Sequence, residues 1–258
     1  MNDRKITPAL SGPTGRRPFG HPLPRAGEGG GKIMGRPGFY FFLSAALFLF
    51  ACKKTEPPAP VSASPNPSAA IRILAFGDSL TAGKDLDDPD TQAYPAVLER
   101  LLKEQGYSAS VTNAGHSGDT TFDALARLDF SLAEKPHIVI VGLGSNDTFQ
   151  GKRVADMEKN LGEIVHRCRQ SGAQVVLLGM KTFPNFGLPY AVGYARMFKR
   201  VADQEGAFLV PFMLEGVAGN PALNLPDSIH PNPQGQERVA KNILPTVVTA
   251  LKKIKKGL

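Results

Sequence analysis

From residue 71 onward the chain alternates two kinds of apolar pattern. Short runs at 71–76, 110–112, 137–142, 174–179 and 207–211 have the length and composition of buried strands. Between them lie stretches of helical period. Tyr94, Val97, Leu98, Leu101 and Leu102 follow the i, i+3, i+4, i+7, i+8 spacing of one helix face, and Gly106 stops that helix. A second helix is expected over 122–132, with Thr120 or Thr121 as its N-cap. A third carries the stripe Met157, Leu161, Ile164, Val165 and Cys168, a fourth spans 190–202, and a last stripe runs from Val239 through Ile243 and Val247 to Leu251. Continuously apolar strands separated by helices imply a parallel sheet covered on both faces. The expected fold is α/β, a three-layer α/β/α sandwich on a five-stranded sheet. In such folds ligands bind beyond the carboxyl ends of the strands, so chemistry is sought there.

The residues before 71 carry none of these patterns. Residues 1–33 are rich in Gly, Pro and Arg, and are expected to be disordered or to precede a true start at Met34. Phe39 to Ala51 is an uncharged apolar run, shorter than the roughly 20 residues a spanning helix needs. Counted from Met34, it reads as the h-region of a signal peptide over 34–51. The sequence Leu49-Phe50-Ala51-Cys52 resembles the lipobox of bacterial lipoproteins, in which the cysteine is lipidated and becomes the new N-terminus. Residues 52–70 hold Pro57, Pro58, Pro60, Pro65 and Pro67, and read as an extended linker from Cys52 to a domain over 71–258. The expectation is an exported bacterial lipoprotein, attached to a membrane through Cys52.

Charge supports that division. The net +7 of the chain is confined to its ends: residues 1–37 carry +5, residues 38–70 carry +1, and Lys252, Lys253, Lys255 and Lys256 add +4. Residues 71–251 are left at −3, which argues against a nucleic-acid partner and for export and membrane contact. With Cys52 set aside, Cys168 has no partner and is expected to be a small buried hydrophobe.

The expected strand ends carry unusual residues. Gly77-Asp78-Ser79-Leu80 follows the first strand, Asn113-Ala114-Gly115-His116 the second, and Gly144-Ser145-Asn146-Asp147 the third. Asp227-Ser228-Ile229-His230 lies in a loop near the C-terminus. Serine hydrolysis needs a nucleophile, a base and a group that orients the base. Ser79 would open a helix, where backbone N–H groups point at developing negative charge. His230 is the best-placed base, and Asp227 stands one turn before it. The Ser79 and Gly115 N–H groups and the Asn146 amide are candidate oxyanion donors. Each piece has a second reading. Ser79 and Asn146 can be helix caps, Asp227 and His230 can be loop partners of each other, and Asp78 and Asp147 read as caps or turn residues. Ser117, in Gly115-His116-Ser117-Gly118, is a rival nucleophile in an imperfect Gly-x-Ser-x-Gly elbow.

These four blocks resemble those of the SGNH (GDSL) hydrolase family, whose name-giving residues match as Ser79, Gly115, Asn146 and His230. Order and spacing agree over about residues 71–250. The stretches 113–121 and 227–232 look most like the arylesterase/lysophospholipase/acyl-thioesterase subfamily. Ser145 departs from it, standing where Gly or Ala is usual. The resemblance implies a flavodoxin-like sheet, a Ser-His-Asp triad, a small-molecule acyl ester as substrate, and neither cofactor nor metal. An acyl site is expected beside the loop holding Phe183, Phe186, Leu188 and Tyr190, joined by Phe149, Met213 and Leu214. A carbohydrate acetyl-esterase and a non-catalytic binding lipoprotein are the alternative readings.

Overall fold

The computed structural model of the protein describes residues 71–182 and 186–256. The expected signal peptide, Cys52, the expected linker and Phe183 all lie outside these residues. Five strands form one sheet: β1 (Ile71–Gly77), β2 (Ala109–Gly115), β3 (Ile138–Gly142), β4 (Gln174–Leu178) and β5 (Phe208–Val210). Their order is β2-β1-β3-β4-β5 and every pair is parallel. β3 is buried along its whole length, as its unbroken apolar sequence requires. β2 extends further than its apolar run because it is an edge strand whose Thr112 and Asn113 are exposed.

The α-helices among the described residues are α1 (Ser79–Ala82), α2 (Pro89–Gln92), α3 (Tyr94–Glu104), α4 (Thr121–Leu132), α5 (Ser145–Phe149), α6 (Val154–Gln170), α7 (Leu188–Glu205) and α8 (Pro233–Lys256). α3 packs on α8 and β2, while α6 packs on both α4 and α7, which gives the sheet a helical layer on each face. Thr120 is the N-cap of α4, in a reciprocal capping box with Asp123. α8 continues through the terminal lysines to Lys256. Cys168 is fully buried on α6, and burial pushes its thiol up to about 12, far from reactivity.

The strand order places the topological switch between β1 and β3. β1 runs on toward α3 and β2 on one side, and the chain then crosses over to β3 on the other. The loops after β1, β2 and β3 therefore meet at one point on the carboxyl edge.

Candidate active site

Asp78, not Ser79, is the N-cap of α1. Its Oδ1 accepts from the Leu80 N–H at 3.1 Å, which leaves Ser79 at the first helical position. One turn later Gly83 ends the helix in the left-handed region, φ 74°, and its N–H returns to the Ser79 carbonyl. Among the described residues nothing accepts from the Ser79 backbone N–H, so that donor stays directed outward at the helix start.

The loop 225–231 is closed by its own backbone. Leu225 N–H donates to the His230 carbonyl at 2.7 Å, Ser228 N–H to the Leu225 carbonyl at 2.9 Å, and Asn224 bridges to Pro231. Asn224 Nδ2 anchors the loop to the carbonyls of Val217 and Asn220 at 2.7 and 2.8 Å. Asp227 Oδ1 accepts from the Ile229 and His230 N–H groups at 2.9 and 3.0 Å. Its other oxygen lies 2.5 Å from His230 Nδ1, and His230 Nε2 lies 2.9 Å from Ser79 Oγ. The pairing of Asp227 with His230 is thus no closed local arrangement; it reaches across 151 residues to Ser79.

Partial burial raises the Asp227 carboxyl. The His230 N–H, the imidazole and the Ile229 N–H outweigh it and hold the group down at about 2. An ionised Asp227 can only accept, so Nδ1 carries the proton and Nε2 accepts from the Ser79 hydroxyl.

Arg127 and Asp119, which the sequence reading left without a role, brace the strand ends beside the site. Arg127 of α4 donates to Asp119 Oδ2 at 2.6 Å and to the Ala114 and Gly77 carbonyls at 3.1 and 3.0 Å. Its guanidinium also lies over the Phe76 ring at 4.3 Å. One side chain thereby ties the ends of β1 and β2 to the loop that follows β2. Asp119 in turn accepts from Asn146 Nδ2 through its carbonyl at 3.0 Å. Buried Asp147 braces the start of α4, accepting from the Thr121 N–H and hydroxyl at 2.8 and 2.7 Å. Gly144 is the N-cap of α5, so Asn146 is not a cap. The only hint in the sequence was an arginine on the otherwise apolar side of α4.

Gly115 N–H donates to Asn113 Oδ1 at 3.0 Å. A Cβ at Gly115 would meet the Ala82 nitrogen at 2.2 Å and the Thr81 carbonyl carbon at 2.8 Å. Both are backbone atoms of the helix that carries Ser79, so they have no rotamer to yield. Gly115→Ala is expected to push α1 off the Ser79–His230 distance and lower kcat at least about 100-fold, measured on a soluble aryl ester.

Asp78 is 1% exposed, and its Oδ2 has no hydrogen-bond partner. Burial, with smaller contributions from Asp119 and Asp147, pushes its carboxyl up to about 7 against the pull of the Leu80 N–H. The unfolded carboxyl ionises near 3.8, so the folded state loses stability as pH rises from there to about 7. Between pH 5 and 8 this group alone should remove roughly 2–3 kcal/mol. Asp78→Asn keeps the capping oxygen and cannot ionise, so it should raise Tm at pH 8 relative to its effect at pH 5. An equal shift at both values would contradict the assignment.

Ser79 and His230 open on a cleft of about 760 Å³, lined also by Asn146, Phe149, Met180, Phe212 and Leu214. The expected acyl-site residues divide. Phe149 and Leu214 line the cleft, whereas Met213 is buried in the core and Leu188 is 76% exposed. Tyr190 stacks between Phe186 and Tyr194. The walls come instead from the end of β4 and the loop after β5, at Met180 and Phe212. Ser117 lines the cleft, but no histidine bonds its hydroxyl; His116 pairs with Asp119. Among the described residues no group of three His, Cys, Asp or Glu is placed to hold a metal ion.

The GDSL-like Lipase/Acylhydrolase family model matches residues 75–238. Esterase TesA of Pseudomonas aeruginosa is 41% identical over 181 residues, 70% of this chain and 89% of that protein. The arylesterase of Vibrio mimicus is 33% identical over 71% of this chain and 91% of its own length. A crystal structure of TesA superposes with a TM-score of 0.66 at 40% identity, covering 69% of this chain and 99% of that one. The crystallised chain of that relative holds little beyond the matched region. With this fold and these motifs, the chain belongs to the GDSL-like lipase/acylhydrolase family and is a serine ester hydrolase.

Proposed function

We propose that Ser79, His230 and Asp227 are the catalytic triad of an esterase acting on apolar acyl esters. The observation that carries this is the unbroken Ser79–His230–Asp227 hydrogen-bond chain at the mouth of an apolar cleft. Ser79 Oγ attacks the ester carbonyl as His230 Nε2 takes its proton. Asp227 keeps the imidazole in the receptive tautomer and stabilises the imidazolium. The oxyanion is held by the Ser79 N–H, the second amide hydrogen of Asn146, and the Gly115 N–H, which shares or exchanges its bond to Asn113 Oδ1. Protonated His230 releases the alcohol; water activated by the same nitrogen then frees the acid.

A cleft of this volume far exceeds an acetyl group and suits a longer acyl chain, which weighs against carbohydrate deacetylation. An assembled triad weighs against a purely binding lipoprotein. The test is a series of p-nitrophenyl esters of rising chain length: kcat/KM should climb from acetate toward medium and long chains, and a maximum at acetate would overturn the substrate reading.

The proposed setting is the bacterial cell envelope, with residues 34–51 removed, lipid on Cys52 and the linker spacing the domain from the bilayer. Among the described residues no helix is long and apolar enough to cross a membrane. Labelled palmitate should enter the wild-type chain and not the Cys52→Ser variant. Unlabelled wild-type protein would refute the anchor.

A further inference from the structure

The large apolar side chains that this fold leaves in solvent are unevenly placed. Among the described residues they are Phe122, Phe130, Phe149, Leu188, Val192 and Ile229. Phe130 stands in the last turn of α4; the other five leave the carboxyl edge of the sheet. Hydrogen bonds gather those five around one opening. Thr121 N–H on Asp147 brings Phe122 beside α5, which ends at Phe149. Tyr190 OH on the Lys152 carbonyl ties the first turns of α7, with Leu188 and Val192, to the loop that follows α5. Phe149 and Ile229 line the cleft itself. Exposed hydrophobics are ordinary singly; five gathered at the mouth of one apolar cleft are not.

Two lysines that line the cleft are paired: Lys84 bonds Asp85, and Lys181 lies 3.6 Å from Glu215. A rim of apolar side chains with balanced charge pairs complements a zwitterionic headgroup layer over acyl chains. A polyanionic surface would find no such match.

We propose that this rim docks the domain on a zwitterionic phospholipid surface, so that an acyl chain passes from the lipid layer into the cleft without crossing water. Phe122, Leu188 and Val192 do not line the cleft, so the docking goes beyond the proposed hydrolysis and is separable from it.

The test uses residues 71–258, free of Cys52, sedimented with phosphatidylcholine vesicles in a Ser79→Ala background. Wild-type rim residues should partition to the vesicles with little dependence on salt. The combined Phe122→Ser, Leu188→Ser and Val192→Ser change should lower the partition coefficient at least about ten-fold. With Ser79 restored, that variant should hydrolyse soluble p-nitrophenyl butyrate within about two-fold of wild type. If the triple variant loses its cooperative melt, Leu188→Ser alone gives the same comparison, with a loss of about three-fold. Equal partition of both proteins, no partition of either, or a wild-type dimer that the variant abolishes would each overturn the proposal. A preference for acetyl esters would sink the acyl-chain reading without touching this result, and an inert rim would leave the chain-length series as it stands.

Discussion

Replacing Ser79 by alanine is expected to lower kcat by about five to six powers of ten on any ester the enzyme accepts. No second hydroxyl stands ready to take over. Ser117 shares the cleft, yet His230 Nε2 is committed to Ser79 Oγ at 2.9 Å, and His116 is committed to Asp119. Among the described residues the other two histidines are structural: His137 Nδ1 accepts from the Arg72 N–H, and His166 rides α6 beside Glu205. The variant keeps the oxyanion donors, so it should still exceed the uncatalysed rate by about three powers of ten. Because nucleophile and base act as one unit, adding His230→Ala should cost almost nothing more. Additive losses would mean that the two residues serve separate steps.

Asp227→Asn has the second-largest expected effect, a fall in kcat of about 10⁴. Asparagine keeps the shape of the side chain, and its Oδ1 still accepts the Ile229 and His230 N–H groups, so the loop should hold. What changes is the atom opposite His230 Nδ1. An amide N–H there drives the proton to Nε2, which then faces Ser79 as a donor and can no longer take its hydrogen. A melting temperature close to wild type with kcat down by orders of magnitude is the signature. A parallel collapse of both would make Asp227 a loop strut. In the wild type the carboxylate titrates at about 2, below its ordinary 3.8. Whatever stability it contributes is therefore complete above about pH 4 and lost as pH falls through 2. Any activity transition between pH 5 and 9 belongs to another group.

Much of this arrangement was legible in the sequence because its parts obey local rules. Buried parallel strands must be apolar throughout, so β3 and β4 appear as unbroken runs, and amphipathic helices such as α6 must repeat with helical period. Residues that serve chemistry stand out where such strands end. The parts that were not legible depend on long-range contacts or on elements too short to have a period. α1, α2 and α5 are single turns. The sequence offers both Ser79 and Asp78 as the cap, one residue apart, and the backbone angles decide for Asp78. Arg127 looked like one more charge on a helix, since its three carbonyl and carboxylate partners come from β1, β2 and the loop beyond. The expected acyl site centred on the loop from Phe183 to Tyr190, with Phe149, Met213 and Leu214 beside it, and of these Phe149 and Leu214 line the cleft. The cleft is instead walled from several strand ends, so Met180 and Phe212 carried no signal that separates them from core.

The most direct test is covalent. A fluorophosphonate probe should label the wild-type protein once per chain, and peptide mapping should place the adduct on Ser79. Labelling should vanish in Ser79→Ala and fall sharply in Asp227→Asn. An adduct on Ser117 or elsewhere, or undiminished labelling of Ser79→Ala, would contradict the account.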